Sequence, residues 1–319
     1  MFRILLFLLL TIPSFAQTWQ PLTTINSCTA RGESALAHIQ NHIYLLGSRK
    51  IRPVDALDLK TNTWTPMQSP PIELHHFQAV VFKKEIWVLG ALTGNYPHEL
   101  PVDHAYIFNP DKNEWRQGPA LPQDRVRGSA GVTVYKNKIY LVSGIQDGHW
   151  DGHVTWFDEY SPKTNTWQSL ADAPHARDHI SVTVYKHKLY VIGGRRTTAK
   201  TNNVLNIKEA AVDIFDFKSH AWSTLPASSN LPTLRAGANV IAYKGLIIVI
   251  GGESDTQVPA HADTEALNIR TLTWTKLPDL HQGRHGTGSV RIKNKIYIIG
   301  GVGNRGGSPE LGNGEILVF

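Results

Sequence analysis

Residues 60–64 read Lys-Thr-Asn-Thr-Trp, and the same five residues return unchanged at positions 163–167. Similar phrases occur throughout the chain, so that a tryptophan recurs roughly every fifty residues. The tryptophans of this series are Trp19, Trp64, Trp115, Trp167, Trp222 and Trp274. A fixed period of this length is typical of one supersecondary unit copied around an axis. The repeat therefore determines the fold class before any single strand is assigned.

Each repeat is predicted to contain four strands. The first strand, such as Val132–Tyr135, is joined by a lysine-rich turn to a second strand that is apolar throughout, such as Leu189–Ile192. Continuous apolar runs of this length are typical of strands buried on both faces. Glycine follows the second strand and is doubled at 193–194, 251–252 and 300–301; it permits sharp turns and close backbone approach. Two further strands, the last with the tryptophan, complete a meander, which is one blade of a β-propeller.

A glycine pair followed by an aromatic residue and a tryptophan at this spacing resembles the kelch repeat, over the whole of residues 17–319. The resemblance implies an all-β fold, a six-bladed kelch propeller with four-stranded antiparallel blades. The last repeat reaches only its third strand, at 315–319, and Thr18–Leu22 supplies a fourth. We therefore expect the N-terminal strand to complete the last blade and close the ring, which removes an exposed sheet edge.

Residues 1–16 are predicted to form a secretory signal peptide. Arg3 precedes the apolar run Ile4–Leu10, and Ser14–Ala16 provides a small-residue cleavage site. The run is too short to span a bilayer. We expect an exported protein, periplasmic or secreted, whose residues 17–319 form a single soluble domain that is monomeric and does not bind a membrane.

The composition argues against two other classes of protein, those held together by disulfides and those that bind nucleic acid. The chain has one cysteine, Cys28, so no intramolecular disulfide can form. Lysine and arginine number 32 against 26 aspartate and glutamate residues, a modest excess. Such an excess favours anionic partners in general, but nucleic acid is not an expected partner of an exported propeller.

The two faces of the predicted ring differ in loop length. In a meander, the loops between second and third strands share one face with the links between blades. These loops are long, as in residues 90–103, 144–158 and 193–211, whereas the opposite face has only short turns. Binding residues usually lie on long loops held by a rigid frame. We therefore predict a binding site on the long-loop side, here called the mouth face, where the central channel opens.

Arginine occupies one register of the mouth face in five blades. Each arginine lies sixteen residues before the first position of the glycine pair; they are Arg31, Arg127, Arg177, Arg235 and Arg284. Guanidinium groups suit carboxylates and sulfates, so five of them around the channel would attract an anionic ligand. Alternatively, each arginine stabilises the blades by binding carbonyl oxygens or acidic groups. The sequence leaves both interpretations open.

Other side chains on the mouth face are candidates for ligand contact: His75, His76, Trp150, His179 and Arg305. Trp150 offers a flat face for stacking against a sugar ring. His149 and His153 lie four residues apart with Asp151 between them, but in a glycine-punctuated loop and not on a helix, so we expect no metal site there. We also expect no cofactor.

Two enzyme families have similar propellers. The galactose oxidase resemblance implies a copper site with tyrosines and a Cys–Tyr crosslink; the links here lack tyrosine at those positions, and Cys28 lies upstream of the required register. N-acetylneuraminate epimerase, a sialic acid mutarotase, has a glutamate directly after a blade's glycine and then an arginine. Glu253 follows Gly251 and Gly252, but no arginine comes after it in the loop.

Two functions follow from these residues. The favoured one is binding of a small anionic or carbohydrate ligand, or of a protein loop, at the channel mouth. The alternative is a sugar mutarotase or epimerase in the same pocket. There Glu253 or His285 would transfer the proton, while Arg235 and Arg284 held the acid group. A copper oxidase is not expected.

Overall fold

The computed structural model describes residues 17–319; the predicted signal peptide, residues 1–16, lies outside them. The described residues form six four-stranded antiparallel sheets. The first strand of each sheet neighbours the first strands of the adjacent sheets, so the sheets radiate from a central channel. The predicted fold class, a six-bladed propeller, is confirmed.

The blades follow one another along the chain, with strands numbered from the channel outwards. The strands of blades 1 to 3 are, for blade 1, Ala35–Ile39, His42–Leu46, Asp55–Asp58 and Thr63–Pro66; for blade 2, Val80–Phe82, Glu85–Val88, His104–Asn109 and Glu114–Ala120; and for blade 3, Gly131–Tyr135, Lys138–Val142, Phe157–Ser161 and Thr166–Ser169. The strands of blades 4 to 6 are, for blade 4, Ser181–Tyr185, Lys188–Ile192, Asp213–Asp216 and Ala221–Thr224; for blade 5, Asn239–Tyr243, Leu246–Ile250, Thr264–Asn268 and Thr273–Leu277; and for blade 6, Ser289–Ile292, Lys295–Ile299, Gly314–Val318 and Trp19–Pro21.

The described residues also form short secondary-structure elements outside the six blades. Two small hairpins lie on the mouth face, formed by Leu92–Thr93 with Leu100–Pro101 and by Ile145–Asp147 with Asp151–His153. Three single turns of 3-10 helix are Gln123–Arg125, Ala199–Thr201 and Ala227–Ser229. Within residues 17–319, no helix has the length and apolar character needed to cross a membrane.

Blade 6 joins the two ends of the described chain, as predicted. Trp19 pairs with Leu317 and Pro21 with Glu315, in antiparallel register. The Trp19 ring is 2% exposed, and its Nε1 donates hydrogen bonds to Thr264 Oγ1 and to the Pro278 carbonyl. One side chain from the first described strand is therefore built into the contact between blades 5 and 6.

The core consists of six apolar clusters, one between each pair of neighbouring blades. The second strands supply most of the fully buried side chains, as Ile247 and Val249 do between blades 4 and 5. The recurring tryptophans bridge the blades. Nε1 of Trp115, Trp167 and Trp222 each donates to a carbonyl at the end of the preceding blade's fourth strand or in the link just after it. Trp274 and Trp19 make the same kind of contact, so the bridging accounts for the tryptophan period in five of the six blades.

Candidate functional site

A ring of residues narrows the channel beneath the mouth face. Its members lie two positions beyond the arginine register, and all line the channel cavity: Glu33, His76, Ser129, His179, Gly237 and Gly286. We call them the constriction ring. Neighbouring members are joined through the backbone, since the His76 amide donates to the Glu33 carbonyl at 3.3 Å and the Gly237 amide donates to the His179 carbonyl at 2.8 Å.

The backbone of the constriction ring is left-handed at every position. The φ angles are 50° for Glu33, 52° for His76, 52° for Ser129, 51° for His179, 61° for Gly237 and 58° for Gly286. A side chain in this conformation costs about 1–2 kcal/mol relative to right-handed backbone, a cost that glycine avoids. Four positions nevertheless carry side chains, three of them ionisable. Such local strain is typical of functional sites.

Above the ring lies a cleft on the mouth face, here called the mouth cleft. Its volume is about 430 Å³, and it is lined by Glu33 from a blade link and by loop residues from all six blades: Arg49, Asn95, Tyr96, His149, Arg195, Val204, Leu205, Glu253, Gly306 and Gly307. The cleft therefore lies on the long-loop side of the ring, the side on which the sequence predicts a binding site. Its volume falls in the range of about 300–1,000 Å³ that is usual for small-molecule pockets.

Three imidazoles meet at the floor of this cleft: His149 lines the cleft itself, and His76 and His179 line the channel cavity beneath it. We call His76, His149 and His179 the histidine cluster. All three are buried, and one ring nitrogen from each lies within 4.8 Å of the others. The closest pair is His149 Nε2 and His179 Nε2, which are 3.1 Å apart. The cluster draws its members from two blade links and one hairpin, so no local spacing in the sequence relates them.

Two of these imidazole rings are bound by carboxylates at Nδ1, the nitrogen that faces away from the cluster. His149 Nδ1 donates to Glu99 Oε2 at 2.9 Å, and His179 Nδ1 donates to Asp178 Oδ1 at 2.6 Å. Glu99 is fully buried and also accepts from Arg49 Nη2 at 2.7 Å. These contacts fix the orientation of both rings, and each leaves its Nε2 directed into the cluster.

Burial controls ionisation in the cluster. It lowers the pKa of His76 well below the usual range, with further lowering by His179 and His75, and it lowers the pKa of His179. Burial alone would raise the pKa of Asp178, but His179 and Arg195 outweigh it and bring the pKa to about 2. At neutral pH the carboxylate is therefore ionised, and the imidazoles of His76 and His179 are neutral.

Glu253 forms a second buried group beside the cluster. Its carboxylate is 3% exposed, accepts from Arg195 Nη1 at 2.5 Å and from the Gly306 amide at 2.8 Å, and lies 3.5 Å from His285 Nε2. Burial acts to raise the pKa of Glu253, yet His285 and Arg195 together lower it far below its usual range. The arginine that contacts Glu253 thus comes from the neighbouring blade, and none follows Glu253 in its own loop.

The five register arginines lie inside the blades and not at the cleft. All five are 0% exposed. Each forms an ion pair with an acidic residue of its own blade's third strand: Arg31 with Asp55, Arg127 with Asp158, Arg177 with Asp213, Arg235 with Glu265 and Arg284 with Glu315. This is the structural arrangement that the sequence left open, and it contradicts an anion-attracting funnel because the guanidinium groups do not reach solvent.

The sixteen-residue register has a direct cause. Arg127, Arg177, Arg235 and Arg284 each donate to the backbone carbonyl sixteen residues later, at the first position of the glycine pair. Burial lowers the pKa of Arg127 to about 10, against the raising effect of Asp158, so the group stays charged at neutral pH. Each arginine therefore ties a blade link to the second and third strands of the blade that follows.

The other residues predicted to contact a ligand lie at different places around the cleft and are not brought together in one group. His75 is buried behind the cluster, with Nδ1 2.5 Å from His76 Nδ1. His285 is 1% exposed and its Nε2 is 2.8 Å from the Asn304 carbonyl. Trp150 is half-buried with its ring 4.6 Å from that of His98, outside the cleft lining. Arg305 is exposed beside the cleft and donates to the Asp255 carbonyl at 2.8 Å.

Comparison with known proteins supports the repeat assignment. The model for the KLHDC2/KLHL20/DRC7 Kelch-repeats domain matches residues 76–301. The chain belongs to this kelch-repeat family. Kelch-like protein terF of Aspergillus terreus is 30% identical over 307 residues, covering 88% of this chain and 63% of that protein. Kelch-like protein 38 of Homo sapiens is 24% identical, covering 82% of this chain and 42% of its own length.

The kelch fold also matches a solved structure, titled "Structure of YjhT". The TM-score is 0.76 at 16% identity, over 92% of this chain and 96% of that one. This likeness concerns the propeller fold alone. The kelch chain spans less than two thirds of the length of the two Kelch-like proteins above.

Three residues that line the kelch mouth cleft, Arg49, Tyr96 and Arg195, and the buried Glu99 behind His149 were not among the predicted contacts. A signal existed for two of them. The position two residues beyond the start of the glycine pair carries Arg49 in blade 1, Arg195 in blade 4 and Glu253 in blade 5, and all three line the cleft. Glu99 and Tyr96 lie in a loop of irregular length, where no repeat register applies.

Proposed function

We propose that this kelch propeller is a binding protein that takes a small acidic carbohydrate in the mouth cleft. The observation that carries the proposal is the cleft itself, because loops of all six blades converge on one pocket of small-molecule size with apolar walls and a buried polar floor. A few placed polar groups within an otherwise apolar lining are typical of ligand pockets.

Two accessible side chains suit a sugar acid. Tyr96 is 54% exposed at the cleft wall, and its ring provides a face for stacking on a pyranose. Arg49 keeps 30% of its side chain exposed and directs Nη2 to Glu99. Its remaining N–H groups are suited to a ligand carboxylate. The buried register arginines take no part in this proposal.

Ligand-observed proton NMR tests the proposal directly. Saturation transfer from the purified chain to N-acetylneuraminate and a panel of acidic sugars is expected, and it should disappear in Tyr96→Ala and Arg49→Gln. Arg116→Gln provides a matched control, because the half-exposed Arg116 of the fourth strand of blade 2 pairs with Glu85 of the second strand, away from the cleft lining. No transfer to any sugar, or equal transfer in all variants, would contradict a carbohydrate site in this cleft.

A protein loop is the second candidate ligand. Large apolar side chains are exposed in loops of the mouth face, with Ile51 at 56%, Leu100 at 64% and Val258 at 56%. Such residues are suited to a protein contact around the rim of the cleft. Loss of a captured protein partner on Leu100→Ser, with sugar transfer unchanged, would favour this candidate.

The mutarotase alternative has weaker support. Glu253 has the residue type for proton transfer, but its carboxylate is buried and bound by Arg195 and Gly306, and its lowered pKa makes it a poor base. In the same NMR experiment, accelerated exchange between sugar anomers that is lost in Glu253→Gln would establish catalysis. Binding without exchange is the expected result.

We also propose that the chain is exported and acts as a monomer. The support for export is the sequence of residues 1–16, with Arg3, an apolar run and a small-residue cleavage site. A fraction recovered outside the cytoplasm should begin at Gln17. Light scattering of that fraction should give the mass of one chain.

A further inference from the structure

We propose that His76, His149 and His179 form a binding site for a divalent transition metal at the floor of the mouth cleft. Their ligand nitrogens lie within 4.8 Å of one another in a buried setting. Tetrahedral ligands held at about 2.1 Å from zinc are about 3.4 Å apart. The 3.1 Å between His149 Nε2 and His179 Nε2 is close to this value, and a His76 ring nitrogen lies within 4.8 Å of both and would have to move closer to bind the same ion.

Hydrogen bonding leaves two lone pairs facing each other. Because Glu99 and Asp178 accept from Nδ1 of His149 and His179, the Nε2 atoms of both rings are acceptors. Two acceptors at 3.1 Å repel each other; Arg195 Nη2 donates to His179 Nε2, and a cation between the rings would bind both nitrogens. A carboxylate behind each histidine is the usual outer shell of a metal-bound imidazole, since it fixes the tautomer and makes the ring a better donor to the metal.

The charge around the cluster also favours a cation. Four buried carboxylates adjoin the three rings or their direct partners: Glu33, Glu99, Asp178 and Glu253. Two guanidinium groups, those of Arg49 and Arg195, oppose them. The balance of these groups is two negative charges, which a divalent ion neutralises.

Arg195 competes with the metal for one ligand. Its Nη2 donates to His179 Nε2 at 2.9 Å, so metal binding must displace that hydrogen bond. The guanidinium keeps its bonds to Glu253 and, through Nε, to Thr197 Oγ1 at 2.8 Å. We therefore expect weaker binding than at a three-histidine site without an arginine.

The backbone gives an independent indication of a built site. His76 and His179 hold left-handed φ angles of 52° and 51° at ring positions where blades 5 and 6 have Gly237 and Gly286. Glycine would fit all six positions without strain, so the side chains are kept at a conformational cost. Three imidazoles without a thiolate suit zinc, copper, nickel or cobalt, and the His149 side of the site opens to the cleft.

Metal binding can be tested without any organic ligand. The tag-free chain, stripped with a chelator, is titrated with Zn²⁺ by calorimetry and with Co²⁺ by visible absorption. One ion per chain and the intense absorption of tetrahedral cobalt are the expected results. Absence of a stoichiometric site in the folded wild-type chain would overturn the proposal, and this result needs no variant.

Variants then locate the ion. Glu99→Gln should weaken zinc binding by about 10–100-fold, as loss of an outer-shell carboxylate does, and His149→Gln should weaken it further. His98→Gln is the control, because His98 is exposed and lies outside the cluster. Equal affinity in His149→Gln and His98→Gln, with both folded by circular dichroism, would refute the assignment. A chain that binds zinc but no sugar would leave the metal site standing and remove only the carbohydrate proposal.

Discussion

Replacing Arg177 by methionine decides whether the register arginines are structural. The side chain is 0% exposed and donates to the carbonyls of Gly193 at 3.0 Å and Ala211 at 3.1 Å, while Nη2 lies 2.5 Å from Asp213 Oδ2. Methionine fills much of the same volume but leaves a buried carboxylate and two buried carbonyls without these donors. Removing one partner of a buried ion pair costs about 3–5 kcal/mol.

Arg116→Met is the matched control. Arg116 donates to both carboxylate oxygens of Glu85, at 2.8 and 2.7 Å, but its side chain is 50% exposed. Exposed pairs of this kind contribute about 0–1 kcal/mol because water screens both charges. The two substitutions are chemically identical, so their difference isolates burial.

Guanidinium chloride unfolding, followed by tryptophan fluorescence and circular dichroism, measures both variants. We expect the Arg177→Met midpoint to fall by about 1 M, given the steep guanidinium dependence of a chain of this size. Adding Asp213→Asn should restore part of the loss, because the unpaired charge is then removed. A loss below about 1 kcal/mol for Arg177→Met, equal to that of the control, would refute the structural role.

Two further changes test other parts of the fold. Trp19→Ala should lower the free energy of unfolding by about 3–5 kcal/mol because the ring is buried. Trp222→Ala should lower it by less, because that ring is only half-buried. Equal losses in denaturant unfolding would argue that the N-terminal strand does not hold blade 6 closed. Burial, aided by Asp55, raises the pKa of Cys28 to about 11, so the folded state favours the thiol. This preference adds to the free energy of unfolding in full below pH ~9, and the contribution, about 3 kcal/mol in all, is lost as pH rises to ~11 because the thiol of the unfolded chain ionises first. A Cys28→Ala chain whose stability has the same pH dependence would contradict this prediction.

The sequence repeat predicts the propeller fold because every blade packs against its two neighbours in the same way. An apolar second strand between two cores occurs in every blade, and a tryptophan that donates to the end of the preceding blade or to its link occurs in five blades. Both features therefore recur in the sequence. The composite blade follows from counting strands. The structure bears out both predictions.

Side-chain direction could not be predicted from that period alone. The register of Arg127 and its relatives places an arginine near the mouth face, but only the acidic residue of the third strand, such as Asp158, shows where the guanidinium points. That acidic residue recurs in five blades, so the pairing was available as a signal. The histidine cluster was not, because His149 comes from a hairpin whose position depends on one irregular loop.

The composite blade also determines when, during synthesis of the chain, the ring can close. Trp19 is made early, yet its strand partner Leu317 follows almost three hundred residues later. At about 5–20 residues per second, the first strand waits roughly 15–60 s for the partner that completes its sheet. Throughout that interval a partly made ring has an open seam, which a second nascent chain can enter in place of the first. Any factor that shields Trp19 until the last strand emerges will therefore raise the yield of closed rings.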